Sequence, residues 1–139
     1  GYDIPSMIAV KLGGHGDVTE TNIAWTLKKA APLNPSPVVV GSELYVVSDK
    51  GIASALDVKS GEEVWQERIG GNYSASPLYA DGRIYLLDEE GKCTVIAPGK
   101  EFKELAVNQL EGRTLASLSV AGKSIFLRTD THLYRLEKK

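Results

Sequence analysis

The sequence predicts an all-β chain: β-propeller blades of four antiparallel strands, about three and a half repeats, a partial propeller. Three observations carry that prediction. Ser36-Pro37 returns as Ser76-Pro77, Leu44-Tyr45-Val46-Val47 returns as Ile84-Tyr85-Leu86-Leu87, and Gly51 returns as Gly91. Trp25 stands forty residues before Trp65, and a fainter copy runs from Ser117 through Ile125-Phe126-Leu127. The apolar runs are continuous rather than alternating, so both faces of each small sheet are covered. No stretch has the 3.6-residue periodicity of a helical repeat, and a β-sandwich would not explain a repeat in this register.

Taken in order, residues 1–35 read as the end of a blade. Met7 to Leu12 is a strand, Gly13-Gly14-His15-Gly16-Asp17 a loop by composition, and Asn22 to Leu27 a second strand with Trp25. Ala30 to Pro35 breaks the ladder. Residues 36–75 are a complete blade. Pro37 to Val40 opens it, because proline is tolerated at a strand's first residue. Gly41-Ser42 turns the chain into Glu43 to Ser48. Asp49-Lys50-Gly51 leads to Ile52 to Asp57, and Lys59-Ser60-Gly61 to Glu62 to Arg68. The polar residues of that fourth strand suit an outer edge that must discourage pairing with other chains. Residues 76–115 repeat the blade, with turns at Asp81-Gly82 and Glu89-Glu90-Gly91, a third strand from Cys93 to Ala97 and a weaker fourth near Phe102 to Val107. Residues 116–139 are an incomplete last blade with strands at Leu118 to Val120, Ser124 to Arg128 and His132 to Leu136. The whole chain, 1–139, is read as a single partial β-propeller domain.

Composition narrows the function classes. With 139 residues, 42% hydrophobic and 24% charged, the chain is one globular domain by length and composition. A formal net charge of −2 gives no electrostatic case for nucleic acid or an anionic membrane. No apolar run approaches the roughly 18–20 residues of a membrane span. The first residues show no basic start and no long apolar core, so no signal peptide is read there. The single cysteine, Cys93, sits in a strand pattern that favours a small packed thiol over a reactive one.

Candidate reactive residues are few. His15 and Asp17 lie in the glycine-rich loop and read as exposed. Asp130 and His132 flank a turn, but a lone imidazole lacks metal-ligand spacing. Asp88-Glu89-Glu90-Gly91 lacks the alternating oxygen ligands of a Ca²⁺ loop and reads as a solvated hairpin tip. Gly122-Lys123-Ser124 imitates the end of a phosphate loop, yet Ser117 stands where that loop needs glycine and a strand follows. No Ser/His/Asp set has supporting spacing. Tyr45, Tyr85 and Phe126 recur in register as packing residues.

Ala55-Leu56-Asp57-Val58-Lys59-Ser60-Gly61-Glu62-Glu63-Val64-Trp65 resembles the repeat of pyrroloquinoline-quinone-type propellers: a small residue, Asp, Gly, and Trp four residues after the Gly. Gly61 allows a turn with positive φ, and the Asp57 side chain can bond backbone N–H groups in that turn. The resemblance implies that Trp65, and less regularly Trp25, dock each blade on the next as part of a tryptophan girdle. Asp57, Gly61, Trp25 and Trp65 are thus the expected blade-docking residues. Ala97 replaces Asp57 and Leu105 replaces Trp65 in the next repeat, so the girdle is expected to weaken there.

The resemblance runs from about Ile4 to Leu136 and is to the C-terminal half of bacterial repeat proteins, many of them secreted or periplasmic. It implies a non-catalytic binding or scaffold module with a protein or carbohydrate partner. The alternative it implies is a degenerate quinoprotein that retains pyrroloquinoline quinone or Ca²⁺, or part of a quinone-dependent dehydrogenase completed by a missing half. Such dehydrogenases often carry a vicinal disulfide, which one cysteine cannot form, and no stretch supplies their Ca²⁺ ligands; no cofactor, catalytic residue or metal ligand is expected. Propellers close with about four to eight blades. Three and a half blades leave apolar faces open, so a homo-oligomer or a missing propeller half is expected to complete the ring.

Overall fold

The computed structural model describes residues 5–137; Ile4, where the resemblance begins, lies outside them, as do Lys138 and Lys139. The chain is a run of antiparallel sheets arranged as β-propeller blades. A two-stranded sheet pairs β1 (Met7–Val10) with β2 (Ile23–Leu27). The next sheet has four strands in chain order: β3 (Val38–Val40), β4 (Glu43–Val47), β5 (Ile52–Asp57) and β6 (Glu63–Arg68). A second four-stranded sheet repeats it with β7 (Leu78–Ala80), β8 (Arg83–Leu87), β9 (Lys92–Ile96) and β10 (Glu104–Gln109). A three-stranded sheet follows, with β11 (Ser119–Ala121), β12 (Ser124–Arg128) and β13 (Leu133–Glu137).

The register repeats with the sequence. Val38 pairs with Tyr45 in one sheet, Leu78 with Tyr85 in the next and Ser119 with Phe126 in the last. The tip of the β4–β5 hairpin explains one recurring glycine. Gly51 has φ 71°, and a Cβ there would lie 2.2 Å from Gly70 O. The backbone of the outgoing chain presses on that tip, with Ile69 N–H donating to Gly51 O at 3.0 Å. Gly91 repeats the contact against Leu110, whose N–H donates to Gly91 O at 3.1 Å. Glycine is required here by a close approach that only the folded chain creates.

The continuous apolar runs face two neighbours at once. Leu44 and Val46 point with Leu56 toward the first sheet, where Met7, Trp25 and Leu27 pack on them. Tyr45 and Val47 point the other way, with Ala53, Ala55 and Trp65, into a core shared with Ile84, Leu86 and Ile96 of the second four-stranded sheet. Leu87, Cys93 and Val95 then turn toward Leu118 and Leu127 of the last sheet. Alternate residues of one strand therefore belong to different cores, as a blade stacked on both sides requires.

Three local expectations are corrected. The glycine-rich stretch ends in a helical turn, α1 (Thr19–Asn22), with Asp17 Oδ1 accepting the Thr19 N–H at 2.9 Å. Strand β2 consequently starts at Ile23, and the Asn22 amide donates to Lys11 O and Gly13 O, tying the loop shut. Strand β1 stops at Val10, leaving Leu12 fully exposed. Strand β10 starts two residues later than read, because Phe102 packs edge-on against Trp65 at 5.4 Å instead of entering the ladder.

Candidate functional site

The four expected docking residues fall at blade junctions. Trp65 leaves β6 and reaches the loop between β9 and β10. Its indole N–H donates to Gly99 O at 3.0 Å, and its ring lies 6.0 Å from Tyr45. Tyr45 completes the contact: its hydroxyl accepts the Gly99 N–H at 2.8 Å. Burial raises the Tyr45 hydroxyl above its ordinary pKa, while the Gly99 N–H pulls the other way. Trp25 makes the equivalent contact one junction earlier, its indole N–H donating to Val58 O at 3.1 Å.

Asp57 and Gly61 build the loop that Trp25 meets. Asp57 Oδ1 accepts the Ser60 and Lys59 N–H groups, each at 2.9 Å. Those backbone donors hold the carboxyl below the usual aspartate range, the Ser60 N–H contributing most. Gly61 has φ 72°, and a Cβ there would sit 2.5 Å from the Trp25 ring. The loop thus needs glycine twice over, for its backbone angle and for clearance. Leu105, in the position of a third tryptophan, is 44% exposed, and every residue of β10 is exposed.

A second set of junction contacts was not read from the sequence. Ser36 N–H donates to Ser76 Oγ, and Ser76 N–H donates to Ser117 Oγ, both at 2.9 Å. These serines precede the inner strands β3, β7 and β11 and join neighbouring blades in one direction. The recurring Ser36-Pro37 and Ser76-Pro77 pairs were the available signal, but a spacing alone does not say where a hydroxyl points.

The hairpin tips and crossovers form one face of the blades. Lys50 Nζ donates to Asn72 Oδ1 at 3.1 Å, and Ser74 Oγ donates to Glu89 Oε1 at 2.7 Å. Arg113 faces Glu89 and Glu90 at 3.8 and 3.5 Å. The acidic tip is not simply solvated. Asp88 is buried, and its Oδ1 accepts the Glu90 and Lys92 N–H groups at 3.0 and 2.8 Å. Tyr73, in the crossover just before, is fully buried, and among the described residues its hydroxyl has no hydrogen-bond partner. Cys93 packs inside the last core, and burial pushes its thiol up to about 11.

The aspartates that a Ca²⁺ site would draw on are engaged by backbone donors. Asp17, Asp57 and Asp88 each direct a carboxylate oxygen to backbone N–H groups of their own loops, and Asp49 directs its carboxylate to the Leu33 N–H in the segment before β3. Asp130 likewise accepts the Arg113 N–H, from the crossover before β11, at 3.1 Å. No group of three or more His, Cys, Asp or Glu that could hold a metal ion occurs among the described residues. His132 Nδ1 lies 2.9 Å from the Thr131 hydroxyl in its own turn.

Comparison with known proteins places this geometry. Residues 16–115 match the family described as outer membrane protein assembly factor BamB. The outer membrane protein assembly factor BamB of Burkholderia pseudomallei is 28% identical over 114 residues, which is 81% of this chain and 29% of that protein. The 1-butanol dehydrogenase (cytochrome c) of Thauera butanivorans is 26% identical over 111 residues, 78% of this chain and 15% of that protein. The chain therefore spans less than a third of either relative. The crystal structure of BamB from Moraxella catarrhalis matches 75% of this chain and 32% of its own, with TM-score 0.58 at 17% identity. A europium-containing methanol dehydrogenase matches 66% of this chain and 19% of its own, with TM-score 0.54 at 21% identity. At these identities the structural likeness speaks for the fold alone.

Proposed function

The chain belongs to the outer membrane protein assembly factor BamB family of quinoprotein-type repeats, and on that premise we propose that it is a non-catalytic propeller scaffold presenting a ring face to a protein partner. One observation carries the reading. The repeat's distinctive side chains are directed at neighbouring blades or at their own turns. Trp25, Trp65, Ser76 and Ser117 bond across junctions, and Asp57 closes the loop that Trp25 meets. We assign blade docking to Trp25 and Trp65, with Asp57 and Gly61 shaping the loop that receives Trp25. What is left for recognition is the face of hairpin tips and crossovers, with Lys50, Asn72, Glu90 and Arg113. A protein partner is favoured over carbohydrate because the BamB relatives are named for assembling outer membrane proteins. The same names favour an extracytoplasmic location. No helix among the described residues is long and apolar enough to cross a membrane. The ring is completed by further blades, from the rest of a longer protein or from a second copy.

A second reading rests on the dehydrogenase relative: a degenerate quinoprotein that still binds pyrroloquinoline quinone or Ca²⁺. Titration with both, followed by absorbance and thermal shift, separates the two. The scaffold reading expects no response at saturating ligand, and a saturable absorbance change with a raised melting point would replace it. Light scattering tests completion by a second copy. A soluble species that stays at 15.0 kDa would remove that version.

A further inference from the structure

Strand β10 closes one side of the second four-stranded sheet, with its outer edge turned away from β9. Blades stack through the faces of their sheets, so further blades at either end of the row leave this outer edge free. The inner edge is taken up by the ladder. Leu110 N–H donates to Gly91 O at 3.1 Å, and the pairing continues with Asn108 opposite Cys93 and Ala106 opposite Val95. Backbone groups alternate along an antiparallel strand, so those of Val107 and Gln109 point outward.

Free edges are commonly blunted by charge. Strand β6, the equivalent strand one blade earlier, carries Glu63, Glu67 and Arg68 along its length. Strand β10 instead presents Leu105 and Val107, the second 51% exposed, and the charges stand around its ends. Lys103 lies four residues before Val107 and Glu111 four residues after it. Both are exposed, and among the described residues neither enters an ion pair. The segment is therefore complementary to its own reverse. In an antiparallel pair centred on Val107, Leu105 stands opposite the partner's Gln109, and Lys103 comes within side-chain reach of the partner's Glu111. The outward backbone groups of Val107 then meet those of the partner's Val107 as a hydrogen-bonded pair. A slip of one residue sets outward groups against inward ones. A slip of two sets like charges together, Glu111 with the partner's Glu101 or Lys103 with the partner's Arg113.

We propose that β10 pairs edge to edge with the β10 of a second copy of the chain, antiparallel and centred on Val107, so that two blades become one continuous sheet. The contact is two-fold, the same patch on both sides. It differs in this from the blade junctions: it links one row of blades to another and does not complete a ring. The pairing of Leu105 and Val107 on one face supplies apolar contact, and the two Lys103–Glu111 pairs fix the register. An edge of six residues belongs with small, weak interfaces, so the association is concentration-dependent.

The test uses the full chain, followed by amide NMR and sedimentation equilibrium up to about 1 mM protein. On concentration, the Val107 and Gln109 amides are expected to shift and gain exchange protection, while the Ala106 and Asn108 amides, already bonded to β9, stay nearly unchanged. Lys103→Glu and Glu111→Lys are each expected to weaken self-association about tenfold, because each sets like charges opposite one another. An equal mixture of the two variants restores opposite charges at both ends of the pair and is expected to associate like the parent chain. Fold loss is not a concern for these two exposed side chains, and the melting point of each variant checks it. No self-association at the highest concentration, shifts confined to the blade junctions, or a mixture no tighter than either variant alone would each overturn the proposal. None of these readouts involves a quinone or a protein partner of another kind, so the outcome is independent of the scaffold reading.

Discussion

Trp65 is held at one junction by three kinds of contact: a hydrogen bond to Gly99 O, the Tyr45 ring on one side and the Phe102 edge on the other. Truncating it removes a buried aromatic and leaves a cavity between two blades. Trp65→Ala is expected to cost about 3 kcal/mol, read by chemical unfolding. An unchanged midpoint would mean the ring carries no docking energy. Gly61→Ala is expected to cost about 1–2 kcal/mol from its left-handed backbone alone, and more because the new methyl meets the Trp25 ring. Pairing it with Trp25→Leu should recover part of the loss, whereas strict additivity of the two changes would deny the contact. Cys93 gives a pH-dependent check. Its buried thiol is raised from 9.0 to about 11, so it contributes stability below pH 9 that is lost as pH rises toward 11. Thiol reagents at pH 8 should label it only on unfolding, and fast labelling of the native chain would contradict the burial.

Among the elements, β10 differs most from its counterpart β6. Strand β6 carries Glu63, Gln66, Glu67 and Arg68, while β10 exposes Leu105 and Val107 with Glu104 as its one charge. An apolar unpaired edge invites association. Changing Leu105 and Val107 together to Lys is expected to leave the melting point nearly unchanged and to reduce light scattering at high concentration. A large loss of stability would show that these residues pack somewhere in the folded chain. Strands β4, β5, β8 and β12 were legible in the sequence because each is a strand of five or six residues, mostly apolar, between turn residues. The helical turn α1 was not, since four residues carry no period. Phe102 read as strand because propensity does not reveal that a tryptophan from another blade takes its ring. The Asp88 tip read as solvated for a similar reason: its burial comes from Gly71 of the crossover, which approaches its carboxylate. What the sequence left hidden at the site was tertiary, the direction of Ser76 and Ser117 and the clearance at Gly61.

For the whole molecule, stability is organised junction by junction. The core around Tyr45, Trp65 and Ile84 joins the two four-stranded sheets, whereas β1–β2 rests on one small core and β13 is mostly exposed. A stacked array of this kind opens from its ends. Amide hydrogen exchange should therefore be slowest in β4, β5, β8 and β9 and fastest in β1, β2 and β13, and uniform protection would indicate a single cooperative unit. The serine contacts at the inner strands add a property that packing alone does not have. Each junction runs from an N–H in one blade to a hydroxyl in the next, so its two sides are chemically unlike. Such an interface cannot be its own mirror partner. It can only be repeated head to tail, closing into a ring if the rotations sum to a full turn and extending into an open helix if they do not. One backbone donor and one serine oxygen thus give the row of blades a direction along the chain, from Ser36 through Ser76 to Ser117.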